Sequence, residues 1–223
     1  MAQFVFINDR NRERYLKIIA PAGKFLARMG IHPNVLSFAG LVFSALAGLL
    51  YSTGAFFWAA WVVVLAGVCD SLDGLIARQT QKTSTFGAFF DSTLDRYGDM
   101  FLLLGLAYHF AGGIPFFFPG MPRVLGGEAS PWTVMVIFLA LTGSFMVSYA
   151  RARAEGLGIP CKEGMMQRPE RITLLIIGSL LGAIPQVGPW LLKFVLLLLA
   201  VSTNLTAVYR IIHVRNRILK GNP

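Results

Sequence analysis

Charge is what this sequence has least of. Only 14% of its 223 residues are Asp, Glu, Lys or Arg, against about 25% in an ordinary soluble domain. Hydrophobic residues make up 55%. That shortage excludes a soluble globular chain and leaves an integral membrane protein. Acidic residues are the scarcer sign, 11 against 20 basic ones, for a net charge of +9. In a soluble protein the excess would point to nucleic acid. Here the basic residues flank apolar runs, as the positive-inside rule and anionic cytoplasmic lipids require, so no nucleic-acid partner is expected. Cysteine is nearly absent: Cys69 falls in an apolar run and Cys161 in a basic loop, which excludes a disulfide framework. The first thirty residues hold no apolar run ahead of a small-residue cleavage site, so no cleavable signal peptide is expected. No internal repeat supports an inverted-repeat transporter.

What is present is a series of six apolar stretches, at residues 34–53, 55–77, 86–110, 131–154, 169–186 and 188–214. Each is near the ~20 residues that a bilayer crossing needs. Ahead of them, residues 10–29 mix basic side chains with Tyr15, Leu16, Ile18, Ile19, Phe25 and Leu26, the pattern of an amphipathic helix lying in the membrane interface. Pro21 is expected to bend or interrupt that helix. The run Gly30-Ile31-His32-Pro33 is expected to stop it, and Asn34 to cap the next one. Residues 111–130, rich in Gly and Pro, read as a loop. The expected fold is therefore all-α and membrane-integral. Residues 1–30 form a cytoplasmic segment with the interfacial helix, and residues 31–223 form one six-span domain.

Lys and Arg placement sets the orientation. Arg10, Arg12, Arg14, Lys17, Lys24 and Arg28 precede the first span. Arg78 and Lys82 lie between spans two and three, and Arg151, Arg153, Lys162, Arg168 and Arg171 between four and five. Arg210, Arg215, Arg217 and Lys220 end the chain, while Arg123 stands nearly alone on the other side. Both termini and both basic loops are expected in the cytoplasm, on a multi-pass protein of the cell membrane.

Against this apolar background, residues 70–95 carry four carboxylates. Asp70, Asp73 and Ala77 are spaced i, i+3, i+7, and Gly87, Asp91 and Asp95 are spaced i, i+4, i+8. Each set shares one helix face. Ionisable groups at such depth are costly unless paired, hydrated or metal-bound, and hard divalent cations are natural partners of carboxylates. Two successive helices offering two carboxylates each suit a pair of divalent ions, the arrangement of two-metal phosphoryl-transfer sites. Gly74 and Gly87 leave bare backbone for close approach of a ligand, Ala77 is small, and Arg78 can engage a phosphate. Asp99 extends the stripe by a turn, either as a further ligand or as a partner of Arg96.

The segment resembles the signature of the CDP-alcohol phosphotransferase family: Asp-x-x-Asp-Gly-x-x-Ala-Arg, eight residues, then Gly-x-x-x-Asp-x-x-x-Asp. Every fixed position is matched, at Asp70, Asp73, Gly74, Ala77, Arg78, Gly87, Asp91 and Asp95. The resemblance implies that Asp70, Asp73, Asp91 and Asp95 bind two Mg²⁺ or Mn²⁺ ions, with Asp95 also the general base. It implies a nucleotide site formed by Asp70, Gly74, Ala77, Arg78, Ser84 and Gly87, together with Asn34 and Ser37 after the interfacial helix. The implied donor is CDP-diacylglycerol, CMP is the leaving group, and similar proteins are homodimers among membrane lipids.

The acceptor is read from a second basic group. Arg151, Arg153, Arg168 and Arg210 are expected to gather at the cytoplasmic mouth, where several arginines suit a phosphate dianion. The blander reading makes them positive-inside flanks paired with Glu155 and Glu170. Arg210 seats its charge deep in its span and favours the functional one. Arg171 is expected to pair with a glutamate or a lipid phosphate. The blocks Ser148-Tyr149-Ala150-Arg151-Ala152-Arg153-Ala154-Glu155 and Arg168-Pro169-Glu170-Arg171 resemble the phosphatidylinositol-phosphate synthase branch, which implies inositol phosphate as acceptor. Glycerol 3-phosphate and serine are the alternative acceptors. A divalent-cation transporter is the rival of a different class.

Overall fold

The computed structural model describes residues 9–81, 83–113, 128–161, 164 and 166–219, with backbone alone for 9–13 and 16. These residues form seven α-helices: α1 (Asp9–Arg28), α2 (Pro33–Ser52), α3 (Phe56–Gln79), α4 (Thr85–Phe110), α5 (Pro131–Glu155), α6 (Arg168–Gly182) and α7 (Gly188–Leu219). Lys82, Arg123, Lys162, Lys220 and most of the loop 111–130 lie outside the described residues. The last six helices match the six apolar stretches closely. Four of them, α2, α3, α5 and α7, are long and apolar enough to cross a membrane. α4 is diluted by its carboxylates, and α6 is only 15 residues long.

Helix ends depart from the sequence reading in two places. α1 continues through Pro21. The ring lies on the exposed side of the helix, where water can satisfy the carbonyl that loses its intrahelical bond. The helix ends about two turns later, where Gly30 adopts a φ of +75° and the Ile31 amide donates to the Leu26 carbonyl at 3.3 Å, a glycine-terminated end. The cap of α2 is His32 and not Asn34: His32 Nδ1 accepts from the Asn34 amide at 3.3 Å, with Pro33 in the first turn. Proline is pre-set for the first helical position, so it moves the cap back to residue 32. That leaves the Asn34 side chain free of capping duty.

The helices fall into two compact units, α1–α4 and α5–α7. In the first, α2 and α3 are antiparallel, with Gly40 beside Ala66 and Cys69, and Ser37 beside Asp73. α4 runs parallel to α2: Gly87 lies by Asn34, Gly98 by Ser44, and Gly105 against the backbone of Gly48. A Cβ added at Gly98 would stand 3.1 Å from Ser44 Oγ, and one at Gly105 would enter the Gly48 backbone. Small residues are what let two helices approach this closely. α1 closes the unit through a shared core of Ile19, Leu36, Leu72 and Ile76. In the second unit, α5 and α7 are parallel: Asn204 Nδ2 donates to the Leu139 carbonyl at 2.9 Å and Arg210 Nη1 to the Val147 carbonyl at 2.5 Å. α6 folds back on α7, with Gly178 and Gly182 against Val195 and Leu192. Cys69 and Cys161 are not joined in a disulfide, as expected.

Candidate active site

The first unit gathers the signature residues from two helices, α3 and α4. Asp70 on α3 and Asp91 and Asp95 on α4, all half-buried, offer carboxylate oxygens that lie within 4.8 Å of one another. Three negative charges that close repel strongly in a poorly hydrated setting. The all-oxygen donor set matches what hard divalent cations take, so the arrangement fits such ions. Arg96 Nη1 lies 3.7 Å from Asp95 Oδ2 and also donates to the Ser92 carbonyl. Arg96 thus meets Asp95, one carboxylate of the trio. Asp99 is buried one turn further along α4.

Asp73 stands beside this trio. It is buried, and its Oδ2 accepts a hydrogen bond of 2.6 Å from Ser37 Oγ, itself buried on α2. Asp70 and Asp91 are near enough for their charges to act on it. Ser37, expected to line the nucleotide site, is thus also the residue that orients a carboxylate. Nothing in the spacing of the sequence marks that role, because the bond joins residues 36 apart.

Asn34, Ser84 and Gly87 meet at the other end of the α2–α4 contact. Ser84 caps α4, with its Oγ accepting from the Gly87 amide at 2.9 Å. A Cβ at position 87 would stand 3.0 Å from Ser84 Oγ and 3.5 Å from Asn34 Oδ1. Arg78 is exposed at the end of α3 and lies back over Gly74, where an added Cβ would meet its Nη1 at 3.4 Å. Ala77 sits between them, half-buried. A further neighbour escaped the sequence reading: Tyr15 on α1 donates to Ser71 Oγ at 3.2 Å, next to Asp70.

The arginines belong to the second unit. Arg210 is 2% exposed. It reaches α5 at Val147, one turn before Arg151, and lies under Gly164, where an added Cβ would meet its Nε at 3.4 Å. Arg151 pairs with Glu155 at 2.9 Å on the partly exposed end of α5, the partnership weighed as its blander role. Arg153 is exposed, Arg168 is half-buried at the start of α6, and Arg171 and Glu170 are buried beside it.

Several membrane-length helices, with acidic side chains of α3 and α4 drawn to one point, define a multi-pass membrane protein equipped for divalent cations. Its family follows from comparison. Residues 30–206 match the model of the CDP-alcohol phosphatidyltransferase family, and the chain belongs to that family of transferases. The phosphatidylinositol phosphate synthase of Mycolicibacterium smegmatis is 32% identical over 92% of this chain and 86% of the relative. The archaetidylinositol phosphate synthase of Methanothermobacter thermautotrophicus is 32% identical over 86% and 87%. Among solved structures, Mycobacterium tuberculosis phosphatidylinositol phosphate synthase with CDP-DAG bound superposes with a TM-score of 0.76 at 31% identity, covering 89% of this chain and 94% of that one. The same enzyme in complex with manganese and citrate gives a TM-score of 0.75 at 31% identity, with 87% of each chain covered.

Proposed function

We propose that this chain transfers the phosphatidyl group of CDP-diacylglycerol to inositol phosphate, forming phosphatidylinositol phosphate and releasing CMP. The observation that carries the reading is the convergence of Asp70, Asp91 and Asp95 in a chain that matches this family over most of its length. Asp70, Asp73, Asp91 and Asp95 would hold two divalent cations, Mg²⁺ or Mn²⁺. When bound, such ions neutralise the diphosphate and the charge that builds on the departing oxygen.

The remaining steps belong to this chain's own residues. Arg78 engages a phosphate of the nucleotide, and the small residues Gly74, Ala77 and Gly87 leave room for it beside Asn34, Ser37 and Ser84. The acceptor hydroxyl oxygen attacks the phosphorus that bears the lipid, and its proton passes to Asp95 as general base. The bond from that phosphorus to the bridging oxygen breaks, and CMP leaves with that oxygen. Arg151, Arg153, Arg168 and Arg210 take the phosphate of the acceptor. Burial supports Arg210 in this role, since a guanidinium so withdrawn from water binds an anion strongly.

The chain is a six-span protein of the cell membrane with α1 in the interface. Residues 1–30 are its cytoplasmic segment and residues 31–223 its catalytic domain. Both termini and the site face the cytoplasm, and the protein works as a homodimer. The six helices after α1 support the span count, and the Lys and Arg distribution supports the orientation. Purified protein supplied with CDP-diacylglycerol, Mg²⁺ and either inositol phosphate, glycerol 3-phosphate or serine tests the reading by CMP release. Release with inositol phosphate is expected. Release with serine alone refutes the arginine assignment, and release with none of the three refutes the transferase.

A further inference from the structure

α1 has three sides, one more than an ordinary amphipathic helix needs. The inward side carries Ile19, Gly23, Leu26 and Ala27. Ile19 is buried with Leu36, Leu72 and Ile76, Leu26 and Ala27 pack against them, and a Cβ at Gly23 would strike Leu75. A second side is apolar yet uncovered: Ile18 is 76% exposed, Phe25 64%, and Met29, just past the helix end, 62%. They are spaced i, i+7, i+11, one strip of a helix. The third side is basic, with Arg14, Lys17, Lys24 and Arg28 all exposed. No acidic residue occurs between Arg14 and Gly30.

An apolar strip bordered by a cationic strip fits the boundary between acyl chains and head groups. The inward side is fastened to α3, a helix of membrane length, which keeps α1 within reach of a bilayer surface. We propose that α1 is a docking surface for the anionic phospholipid head groups of the membrane. Ile18, Phe25 and Met29 enter the acyl boundary, and Lys17, Lys24 and Arg28 meet lipid phosphates. The inference rests on the membrane-spanning reading given above. It goes further by assigning this helix a lipid charge preference and a mechanical role. Tyr15 bonds to Ser71 at 3.2 Å, next to Asp70, and Ile19 packs on Leu72, next to Asp73. Docked α1 thereby steadies the stretch of α3 that supplies two of the four carboxylates.

The test uses the full chain in lipid nanodiscs, either of phosphatidylcholine alone or of equal parts phosphatidylcholine and phosphatidylglycerol. Amide hydrogen exchange of residues 14–28 is followed by mass spectrometry, with CMP release measured in parallel. Exchange is expected to slow by roughly two orders of magnitude in the anionic discs, because each of three basic residues at such a surface contributes about five-fold. The triple variant Lys17→Gln/Lys24→Gln/Arg28→Gln is expected to exchange equally in both discs, and Lys17→Arg/Lys24→Arg to keep the response. Equal exchange of the wild type in both discs overturns the proposal, as does a difference that survives the triple variant. Protection by free CDP in phosphatidylcholine discs would assign the basic strip to nucleotide and overturn it too. Active protein without lipid-dependent protection sinks the docking surface alone. Lipid-dependent protection without CMP release supports docking and sinks the transferase.

Discussion

Replacing Ser37 with Ala decides between two roles for one hydroxyl. The family resemblance puts Ser37 among nucleotide contacts, whereas its Oγ donates to Asp73 Oδ2 at 2.6 Å in a buried setting. A hydrogen bond to a charged acceptor contributes about 1.5–3 kcal/mol, which corresponds to roughly 10- to 100-fold in an equilibrium constant. Asp73 without that donor swings more freely and, being close to Asp70 and Asp91, is pushed away from them by like charge. Ser37→Ala is therefore expected to raise the Mn²⁺ concentration for half-maximal CMP release by about 10- to 100-fold, the range found when a partner of a metal ligand is removed. The half-saturating concentration of CDP-diacylglycerol, measured at saturating metal, should hardly move. Ser37→Thr keeps the donor and should restore the metal response. Calorimetric titration of Mn²⁺ into each variant without substrate checks the affinity directly. Unchanged metal affinity with weakened CDP-diacylglycerol binding would refute the reasoning and return Ser37 to the nucleotide.

Four further outcomes are expected. Asp95→Asn should lower turnover by about 10²–10⁴-fold, the usual worth of a general base, while isothermal titration still detects CDP binding. Chelation with EDTA should abolish CMP release and added Mn²⁺ should restore it, since three carboxylates whose oxygens lie within 4.8 Å of one another repel a diphosphate until a divalent cation sits between them; residual turnover in EDTA would contradict this. Gly48→Ala would drive a methyl group into the Phe101 carbonyl oxygen and should destabilise the protein by about 1–3 kcal/mol, read as a lower thermal midpoint in detergent. Arg210→Lys keeps charge but loses the planar fork; it should raise the half-saturating inositol phosphate concentration several-fold and leave that of CDP-diacylglycerol in place.

The sequence made the carboxylates legible because charge inside an apolar run is expensive and helical spacing then fixes which residues share a face. Asp70, Asp91 and Asp95 come together on that logic alone. Helix positions were legible for the same reason: apolar runs of membrane length have few other uses. Individual hydrogen bonds across helices were not. The Ser37–Asp73 bond and the Tyr15–Ser71 bond join residues 36 and 56 positions apart, and no periodicity encodes such pairs. The cap of α2 was misread because Asn is a good capping residue in general, whereas Pro33 settles the matter locally by fixing the first turn. Continuation of α1 through Pro21 depends on that side of the helix being exposed, a fact of packing. Arg151 could be read as ligand-binding or as flanking, and its bond to Glu155 is the kind of local i, i+4 pair that sequence permits but does not compel.

The glycines of α4 have a consequence for traffic across the bilayer. Gly87, Asp91, Asp95 and Gly98 follow one another along a single stripe of that helix, and Gly105 continues toward its far end. Beyond Asp95 and the buried Asp99 the helix turns bare backbone toward α2, at Gly98 against Ser44 and at Gly105 against Gly48. A cation heading from the carboxylates along the α2–α4 seam would meet the main chain of Gly105 set against that of Gly48. That seam is a dead end, suited to retaining ions while chemistry proceeds and unsuited to conducting them, so proteoliposomes containing this protein should not pass Mn²⁺.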